Sequence, residues 1–287
     1  VIFVPFGDVA AFTALTLAAL QARQLPGTIW LVITLSLVAF AMELFALVRH
    51  GHAERWVRAT IVYAVLPLLP VALAWGLHRF ELPMAAEIAL ALALVLPIAP
   101  LLNRIAFAPI ADAPVLVLLI VAVALHFSIS GLGLVFFGPE GVRTQPLTSA
   151  VFEWGGIIVS GQTLLFVAAS VLFSAMLALF FEKSFAGKAL RATAVNRIGA
   201  RLVGIRPATA SGLAFLLASA LGGVSGVLIG PVTTMYYDSG FLIGLKAFVG
   251  AIIGGLVSYP VAMLGALFVG LLESFASFWN SALKEVV

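Results

Sequence analysis

Long apolar runs separated by short polar segments dominate the chain. Eight runs predict membrane segments, since about 20 apolar residues in a helix cross a hydrocarbon core of about 30 Å. They lie at roughly Val1–Leu20, Thr28–Val48, Val57–Leu77, Met84–Leu102, Ala113–Leu134, Ile157–Phe181, Thr209–Gly230 and Phe241–Trp279. The last run is too long for one span, and Gly254, Gly255, Ser258 and Pro260 break it into two. The pattern predicts an all-α, polytopic transmembrane bundle of eight to nine segments.

Composition agrees with a membrane protein. Hydrophobic residues make up 63% of the chain and charged residues 9%, whereas a soluble domain carries about 25% charged residues. The chain has no cysteine, which excludes a disulfide framework and a cysteine-based metal or redox site. Its Lys and Arg residues lie in short loops between the apolar runs, so membrane topology explains the basic charge better than nucleic-acid binding does.

The basic residues also predict an orientation. If the loop at 182–206 is cytoplasmic, alternation places 49–58 and 103–112 on the same side. Ten basic residues then lie inside, namely Arg49, Arg55, Arg58, Arg104, Lys183, Lys188, Arg191, Arg197, Arg201 and Arg206. Four lie outside, namely Arg23, Arg79, Arg143 and Lys284, and Lys246 lies within a span. This imbalance follows the positive-inside rule.

The loop at 182–207 carries a helical pattern of its own. Its apolar residues fall on one side of a helical projection, namely Ala192, Val195, Ile198 and Leu202. Arg197 and Arg201 lie on the other side. A short amphipathic helix of this kind can lie on anionic lipid headgroups or fill a groove on a soluble partner. The pattern alone does not choose between the two.

A motif within this loop carries a family resemblance. Its residues are Gly187, Lys188, Ala189, Arg191, Ala192, Ala194, Ala200, Leu202, Gly204 and Ile205. They resemble the cytoplasmic loop of ABC-importer permeases of the branched-chain amino-acid (LivH/LivM) type. Similar elements are found at 103–109, 213–215, 223–228, 244–248, 254–255 and 270–273. The resemblance is specific from about 101 to 284 and weaker before that.

The chain departs from the family pattern in places. Val195-Asn196 stands at the acidic position of the loop motif, and Phe3 and Phe6 stand where members carry Asn and His. The 20–100 region is longer, as if one hydrophobic hairpin were added. Members begin one span earlier and end one span later, so the chain is expected to lack a terminal span at each end.

The resemblance implies a permease subunit of an ATP-driven importer in the bacterial inner membrane. Its substrates would be branched-chain amino acids or related small solutes, delivered by an external substrate-binding protein. One permease domain would cover 1–287, with 182–207 as its cytoplasmic coupling loop. ATPase subunits would bind that loop at the motif residues Gly187, Lys188, Ala189, Arg191, Ala192, Ala200, Leu202 and Gly204. A second permease subunit, a paralogue or a copy of the chain, would complete the pathway within membrane lipid, and no nucleic acid is expected.

No nucleotide, catalytic or metal site is predicted in the chain. Gly187-Lys188 imitates the end of a phosphate-binding loop, but Glu182 and Ala189 stand where that motif needs Gly and Ser or Thr. ATP and Mg are therefore expected on the partner ATPase. The four histidines, His50, His52, His78 and His126, follow no metal-site pattern. His126 lies in an apolar span, where a bond to a backbone carbonyl is the expected role.

Charged residues inside spans are the candidates for the substrate path or gating, because a charge in lipid is costly unless it is paired or faces water. Lys246 and Glu273 are two such residues, for which structural pairing or snorkelling is the competing interpretation. Asp8 is a third, with helix capping as the alternative. Tyr236 and Tyr237 could form an outer gate or act as interfacial anchors. Glu43 and Glu87 lie near span ends and are expected to reach the interface.

Glycines at four-residue spacing predict close helix packing in the last third of the chain. They include Gly222, Gly226 and Gly230, followed by Gly250 and Gly254. Tight packing is the simpler interpretation, and lining of the substrate path is the alternative.

Two other functions remain open on the residues alone. A polytopic membrane enzyme, such as a lipid-linked transferase, would need acids or histidines clustered at one membrane face. An ion-coupled secondary transporter would need an acidic pair deep in the bundle and no ATPase. The charged residues of this chain are scattered along it.

Overall fold

A computed structural model of the chain describes residues 3–50, 56–255 and 258–279. His52, Arg55 and Lys284, which entered the sequence predictions, lie outside these ranges. The helices are α1 (Phe6–Gln21), α2 (Thr28–His50), α3 (Trp56–Leu77), α4 (Met84–Phe107), α5 (Val115–Phe137), α6 (Gly161–Lys183), α7 (Phe185–Val195), α8 (Arg197–Leu202), α9 (Pro207–Ile229), α10 (Gly240–Ile253) and α11 (Tyr259–Trp279). Two strands, β1 (Val151–Trp154) and β2 (Ile157–Ser160), form a hairpin.

The predicted helical membrane bundle is confirmed. Within the described ranges, seven helices are long and apolar enough to cross a membrane: α2, α3, α4, α5, α6, α9 and α11. Helices α1 and α10 are apolar but shorter. At 1.5 Å per residue, the 16 residues of α1 extend about 24 Å, less than a full hydrocarbon core.

The prediction that one span starts at Ile157 is wrong. Residues 157–160 pair with 151–154 in an antiparallel hairpin, with Phe152 opposite Val159. Gly155 and Gly156 form its two-residue turn, both with positive φ (59° and 87°), as the turn that suits the twist of a hairpin requires. Ser160 then caps α6, because its side chain accepts a hydrogen bond from the Thr163 amide at 3.2 Å.

The predicted break in the last apolar run is confirmed. Helix α10 ends at Ile253, and Gly255 follows with φ of 68°. Helix α11 begins at Tyr259, directly before Pro260. Proline has no amide hydrogen to donate within a helix, but the first turn of a helix does not need that donor. Pro260 therefore favours the start of a new helix.

The chain divides into two compact units. The first comprises Val1–Leu147 and Ser211–Phe241. Helix α1 is buried along most of its length there, with Phe12 and Leu17 fully inaccessible. Helix α9 lies close against α1: a β-carbon at Gly226 would overlap the carbonyl oxygen of Ala10. A central helix that is apolar all round suits burial on every side.

Aromatic rings form a second core within this first unit. Phe3 packs edge-on against Phe215 and Phe107, with ring centroids 5.0 and 6.3 Å away. Leu118 and Ala122 of α5 belong to the same cluster. Phe3 therefore has a packing role at a position where family members carry a polar residue.

The second unit comprises Thr148–Ala210 and Leu242–Val287. It contains the hairpin, α6, α7, α8 and the helical pair of α10 and α11. Gly254 and Gly250 bring α10 close to α11: added β-carbons would lie 2.5 Å from the Ala262 Cα and 3.0 Å from the Ala266 Cα. Helices that lack side chains at their contact approach closely in lipid.

Contacts between loops of the first unit follow the predicted alternation of sides. Arg23 pairs with Glu81, and the Gln145 amide donates to the Gln21 side chain at 3.0 Å. The backbone of Val142 pairs with that of Met235. Each contact joins segments that alternation places on the outer side.

Candidate functional site

The 182–207 loop forms two helices rather than the single amphipathic helix predicted. Helix α7 ends at Val195, and Asn196 leaves helical geometry with φ of −147° and ψ of 100°. Its side-chain oxygen accepts a hydrogen bond from the Gly199 amide at 2.8 Å, which caps α8. Asparagine favours such cap positions because its side chain satisfies an otherwise free amide. Asn196, at the acidic motif position, thus initiates the second helix.

The junction between α6 and α7 is held tightly by two motif-region residues. The Ser184 hydroxyl donates to the Phe180 carbonyl at 2.6 Å and accepts from the Gly187 amide at 2.9 Å. A β-carbon at Gly187 would overlap the Phe180 carbonyl oxygen and lie 2.6 Å from the Phe181 Cα. Only glycine fits this approach, so α7 is fixed to the end of a span-length helix.

The loop exposes apolar side chains beside its basic ones. Val195, Ile198 and Leu202 are 88%, 72% and 84% exposed. Lys188, Arg191, Ala192 and Gly204 are exposed as well, and Ala189 is half-buried. Gly187 and Ala200 are buried, so they shape the loop from within. Large apolar side chains that are this exposed mark contact surfaces.

Asp8 and His126 meet in the interior of the first unit. A hydrogen bond of 2.7 Å joins His126 Nδ1 and Asp8 Oδ2, and both side chains are almost completely buried. The expectation that His126 bonds to a backbone carbonyl is therefore wrong, and Asp8 makes no capping hydrogen bond at the start of α1. The His126 ring also stacks on Phe241, with centroids 5.0 Å apart. Gly240 adjoins Asp8 so closely that a β-carbon there would overlap its carboxyl group.

Lys246 and Glu273 form an ion pair within the second unit. Lys246 Nζ lies 2.7 Å from Glu273 Oε1, which joins α10 to α11. The two residues come from separate motif elements of the chain, 244–248 and 270–273. The structural pairing considered from the sequence is observed.

A further ion pair was missed from the sequence. Arg104 donates from Nε to Glu43 Oε2 at 2.7 Å, and its Nη2 lies 2.6 Å from the same oxygen. Arg104 belongs to the last turn of α4 and not to a loop, and it binds Glu43. That Glu43 reaches the membrane interface stays a prediction. Arg104 and Glu43 both lie near the ends of apolar runs. Two opposite charges at a similar depth in the membrane were therefore the sequence signal that could have predicted this ion pair.

The predicted outer tyrosines lie in the turn between α9 and α10. The Tyr236 amide donates to the Ser239 hydroxyl at 2.9 Å, and the Tyr236 ring is partly exposed. Tyr237 is half-buried. The structure does not bring these rings to Asp8 by any hydrogen bond or ring contact among the described residues.

The candidate packing glycines lie where another part of the chain approaches closely. A β-carbon at Gly222 would lie 3.0 Å from the Val9 side chain, and one at Gly230 would lie 2.7 Å from the Thr144 hydroxyl. With Gly226, they give α9 a smooth face in the first unit. In the second unit, Gly250 and Gly254 likewise give α10 a smooth face.

Metal ligands are not clustered in the part of the chain that the structure describes: no group of three His, Cys, Asp or Glu residues could hold an ion there.

Comparisons with known proteins address the same segments. The profile of the family described as "Branched-chain amino acid transport system / permease component" matches residues 5–287. The high-affinity branched-chain amino acid transport system permease protein BraD of Pseudomonas aeruginosa is 27% identical over 252 residues, covering 85% of this chain and 81% of BraD. The corresponding protein LivH of Escherichia coli K12 is 32% identical over 195 residues, covering 65% of this chain and 63% of LivH. LivH of Salmonella typhimurium gives the same identity and coverage.

No solved structure matches the chain. The seven apolar helices and the homologous bacterial permeases make it a multi-pass protein of the bacterial inner membrane. The family profile matches nearly the whole length of the chain. The chain belongs to the family of permease components of branched-chain amino acid transport systems.

Proposed function

We propose that the chain is the permease subunit of an ATP-driven importer. It would form one permease domain and, with a second permease subunit, a path for branched-chain amino acids or related small solutes. A substrate-binding protein would deliver the solute outside, and ATPase subunits would bind the 182–207 loop inside. ATP and Mg would be held by those subunits. Membership of the permease family supports this function over a membrane enzyme or an ion-coupled transporter.

The observation that carries the proposal is the surface of the 182–207 loop. Val195, Ile198 and Leu202 are apolar and exposed, next to Arg191 and Arg201. Such a surface suits a partner groove with an apolar floor and an acidic rim, since apolar anchors provide binding energy and charges provide orientation.

The fixed α6–α7 junction can transmit a movement of α7 to α6. Ser184 and Gly187 hold α7 against the end of α6. A displacement of α7 by a closing ATPase pair would therefore move α6 as a rigid body, and not bend a flexible linker. The loop would transmit nucleotide-driven closure to the membrane helices.

Copurification of the complex tests the proposal. The full-length permease is purified in mild detergent from cells that express the complete transport system, and the bound ATPase is quantified. Leu202→Glu places a charge in the proposed apolar contact and is expected to lower bound ATPase at least about tenfold, equivalent to about 1.4 kcal/mol. Val232→Glu is the control, because Val232 is also an exposed apolar residue and lies in the α9–α10 turn, which the alternation of spans predicts to be outside. Equal ATPase recovery from the two variants would refute the proposed docking surface.

A further inference from the structure

The Lys246–Glu273 ion pair lies at an unusual place in the second unit. Lys246 is near the middle of α10, about 9 Å from its start and about 10 Å from its end at 1.5 Å per residue. Glu273 lies about 9 Å before the end of α11. The pair is therefore well inside an apolar helical layer.

The charged side chains of the pair are only partly covered by the rest of the chain. The Lys246 side chain is 46% exposed and that of Glu273 is 19% exposed. Charged residues within membrane helices almost always face the interior of the bundle or a water-filled cavity, because a charge that faces hydrocarbon is costly. The face that carries the pair is therefore expected to be turned to water or to polar protein groups in the assembled transporter.

The distribution of side-chain sizes on α11 supports the same orientation. Mostly small residues share the side of α11 that carries Glu273, namely Ala262, Ala266, Gly270, Ala276 and Ser277, with Val269 as a larger one. Bulky apolar residues lie on the opposite side and are exposed, namely Leu264, Phe268, Leu271, Phe275 and Phe278. The bulky side suits lipid contact, and the small side faces α10 and the ion pair.

Space is present beside the charges. Helices α10 and α11 are in tight contact at Gly254 and Gly250, where added β-carbons would meet Ala262 and Ala266. At Gly270, one turn before Glu273, a β-carbon would meet no atom of the described residues within 4 Å. Helices α10 and α11 are thus in contact at Gly250 and Gly254, whereas the space beside Gly270, close to the ion pair, is open.

We propose that Lys246 and Glu273 form a recognition site for zwitterionic α-amino acids in the transport path. The Lys246 ammonium binds the substrate α-carboxylate, and the Glu273 carboxylate binds the substrate α-ammonium. This inference rests on the proposed transport function and adds to it the polar recognition of the substrate. Neither the sequence motif nor the family description assigns the pair this role.

Charge balance makes a zwitterion the matching ligand. An α-amino acid brings one positive and one negative group, so it can replace both halves of the ion pair with no net change in charge. A singly charged solute would leave either Lys246 or Glu273 without a counter-charge, and an unpaired charge within a membrane-spanning layer is unfavourable. The site therefore favours zwitterions over simple cations or anions.

Cysteine accessibility tests whether the site faces a path that substrate occupies. The chain contains no cysteine, so Gly270→Cys introduces a single thiol beside the pair. In the complete transporter, a charged methanethiosulfonate reagent is expected to modify Gly270→Cys, and leucine supplied with the binding protein is expected to slow modification at least about tenfold. Leu271→Cys, the neighbour on the bulky side, is the control and should stay unmodified. Equal reactivity of the two thiols, or no effect of leucine on Gly270→Cys, would overturn the proposal.

Charge variants separate recognition from structural pairing. Lys246→Gln with Glu273→Gln removes both charges, and Lys246→Glu with Glu273→Lys restores a reversed pair. Both double variants are expected to assemble with the ATPase, yet leucine uptake per assembled complex in proteoliposomes should fall at least about tenfold. Wild-type uptake by either variant would assign the pair to structure alone. If the wild-type complex itself took up no leucine, the proposed function would fail; normal wild-type uptake with unaffected variants would reject only the recognition site.

Discussion

The buried contact of Asp8 with His126 joins two apolar helices through one polar bond. The Asp8 carboxyl group lies where α1 begins, close to the first residue of α10 and to α5. A polar group in such a place is costly unless it has a partner, so the hydrogen bond lowers the cost of burying both residues. Asp8 Oδ1 has no hydrogen-bond partner among the described residues. The pair fixes the start of α1 within the first unit.

Replacement of Asp8 tests the strength of that bond. Asp8→Leu leaves the His126 donor buried without its acceptor and is expected to destabilise the protein by about 1–3 kcal/mol. Asp8→Asn keeps a side-chain oxygen as acceptor and is expected to cost much less. Thermal unfolding of the purified permease in detergent measures both. Equal loss of stability in the two variants would contradict a specific role for the hydrogen bond.

Sequence patterns identify such residues but do not pair them. Asp8, Lys246 and Glu273 stand out because charge within an apolar run is rare. Asp8 and His126 are 118 residues apart, and no local spacing connects them. Pairing depends on how the helices pack, which hydropathy does not encode.

The glycine face of α9 determines how closely that helix approaches α1. Gly226 has no room for a side chain against Ala10, while Gly212 on the same helix has no neighbouring atom of the described residues within 4 Å of an added β-carbon. Two glycines of one helix thus differ only in their surroundings.

Alanine substitution at these two glycines should have opposite effects. Gly212→Ala is expected to stabilise the protein by up to about 1 kcal/mol, because alanine favours helix more than glycine does. Gly226→Ala is expected to destabilise it by about 1–3 kcal/mol, because the helices must separate. Thermal unfolding of the two purified variants measures the difference. Stabilisation by Gly226→Ala would contradict the close packing of α9 on α1.

The fixed junction at Gly187 predicts an uncoupled transporter on substitution. Gly187→Ala is expected to displace α7 from α6, so ATP hydrolysis persists while leucine uptake per ATP hydrolysed falls at least about tenfold. Gly212→Ala is the control, because an added β-carbon there would meet no atom of the described residues within 4 Å. Uptake and hydrolysis are measured together in proteoliposomes. Normal coupling in Gly187→Ala would exclude a rigid link.

Elements with a strong periodic signal were predictable, and short irregular ones were not. The span-length helices follow from apolar runs of the right length. Residues 157–160 are apolar and continue directly into α6, so hydropathy alone merges strand and helix. The Gly155-Gly156 pair was the available hairpin signal. The break at Asn196 was missed because the apolar spacing continues across it.

The two units carry different surfaces. In the first unit, segments that alternation predicts to be outside contact one another through Arg23–Glu81 and Val142–Met235. In the second unit, the 182–207 loop is basic and exposes apolar residues. In the proposed importer, this loop would bind the ATPase and the outer segments would face the delivery protein.

Sidedness of the 182–207 loop is the most direct test of the account. Ile198→Cys introduces one exposed thiol into a cysteine-free chain, and a membrane-impermeant maleimide reports which side it faces. A cytoplasmic loop that binds the ATPase is expected to be labelled in inverted vesicles but not in intact spheroplasts, and to be protected when the ATPase subunits are bound. Labelling of Ile198→Cys in intact spheroplasts, or unchanged labelling with the ATPase bound, would contradict this expectation.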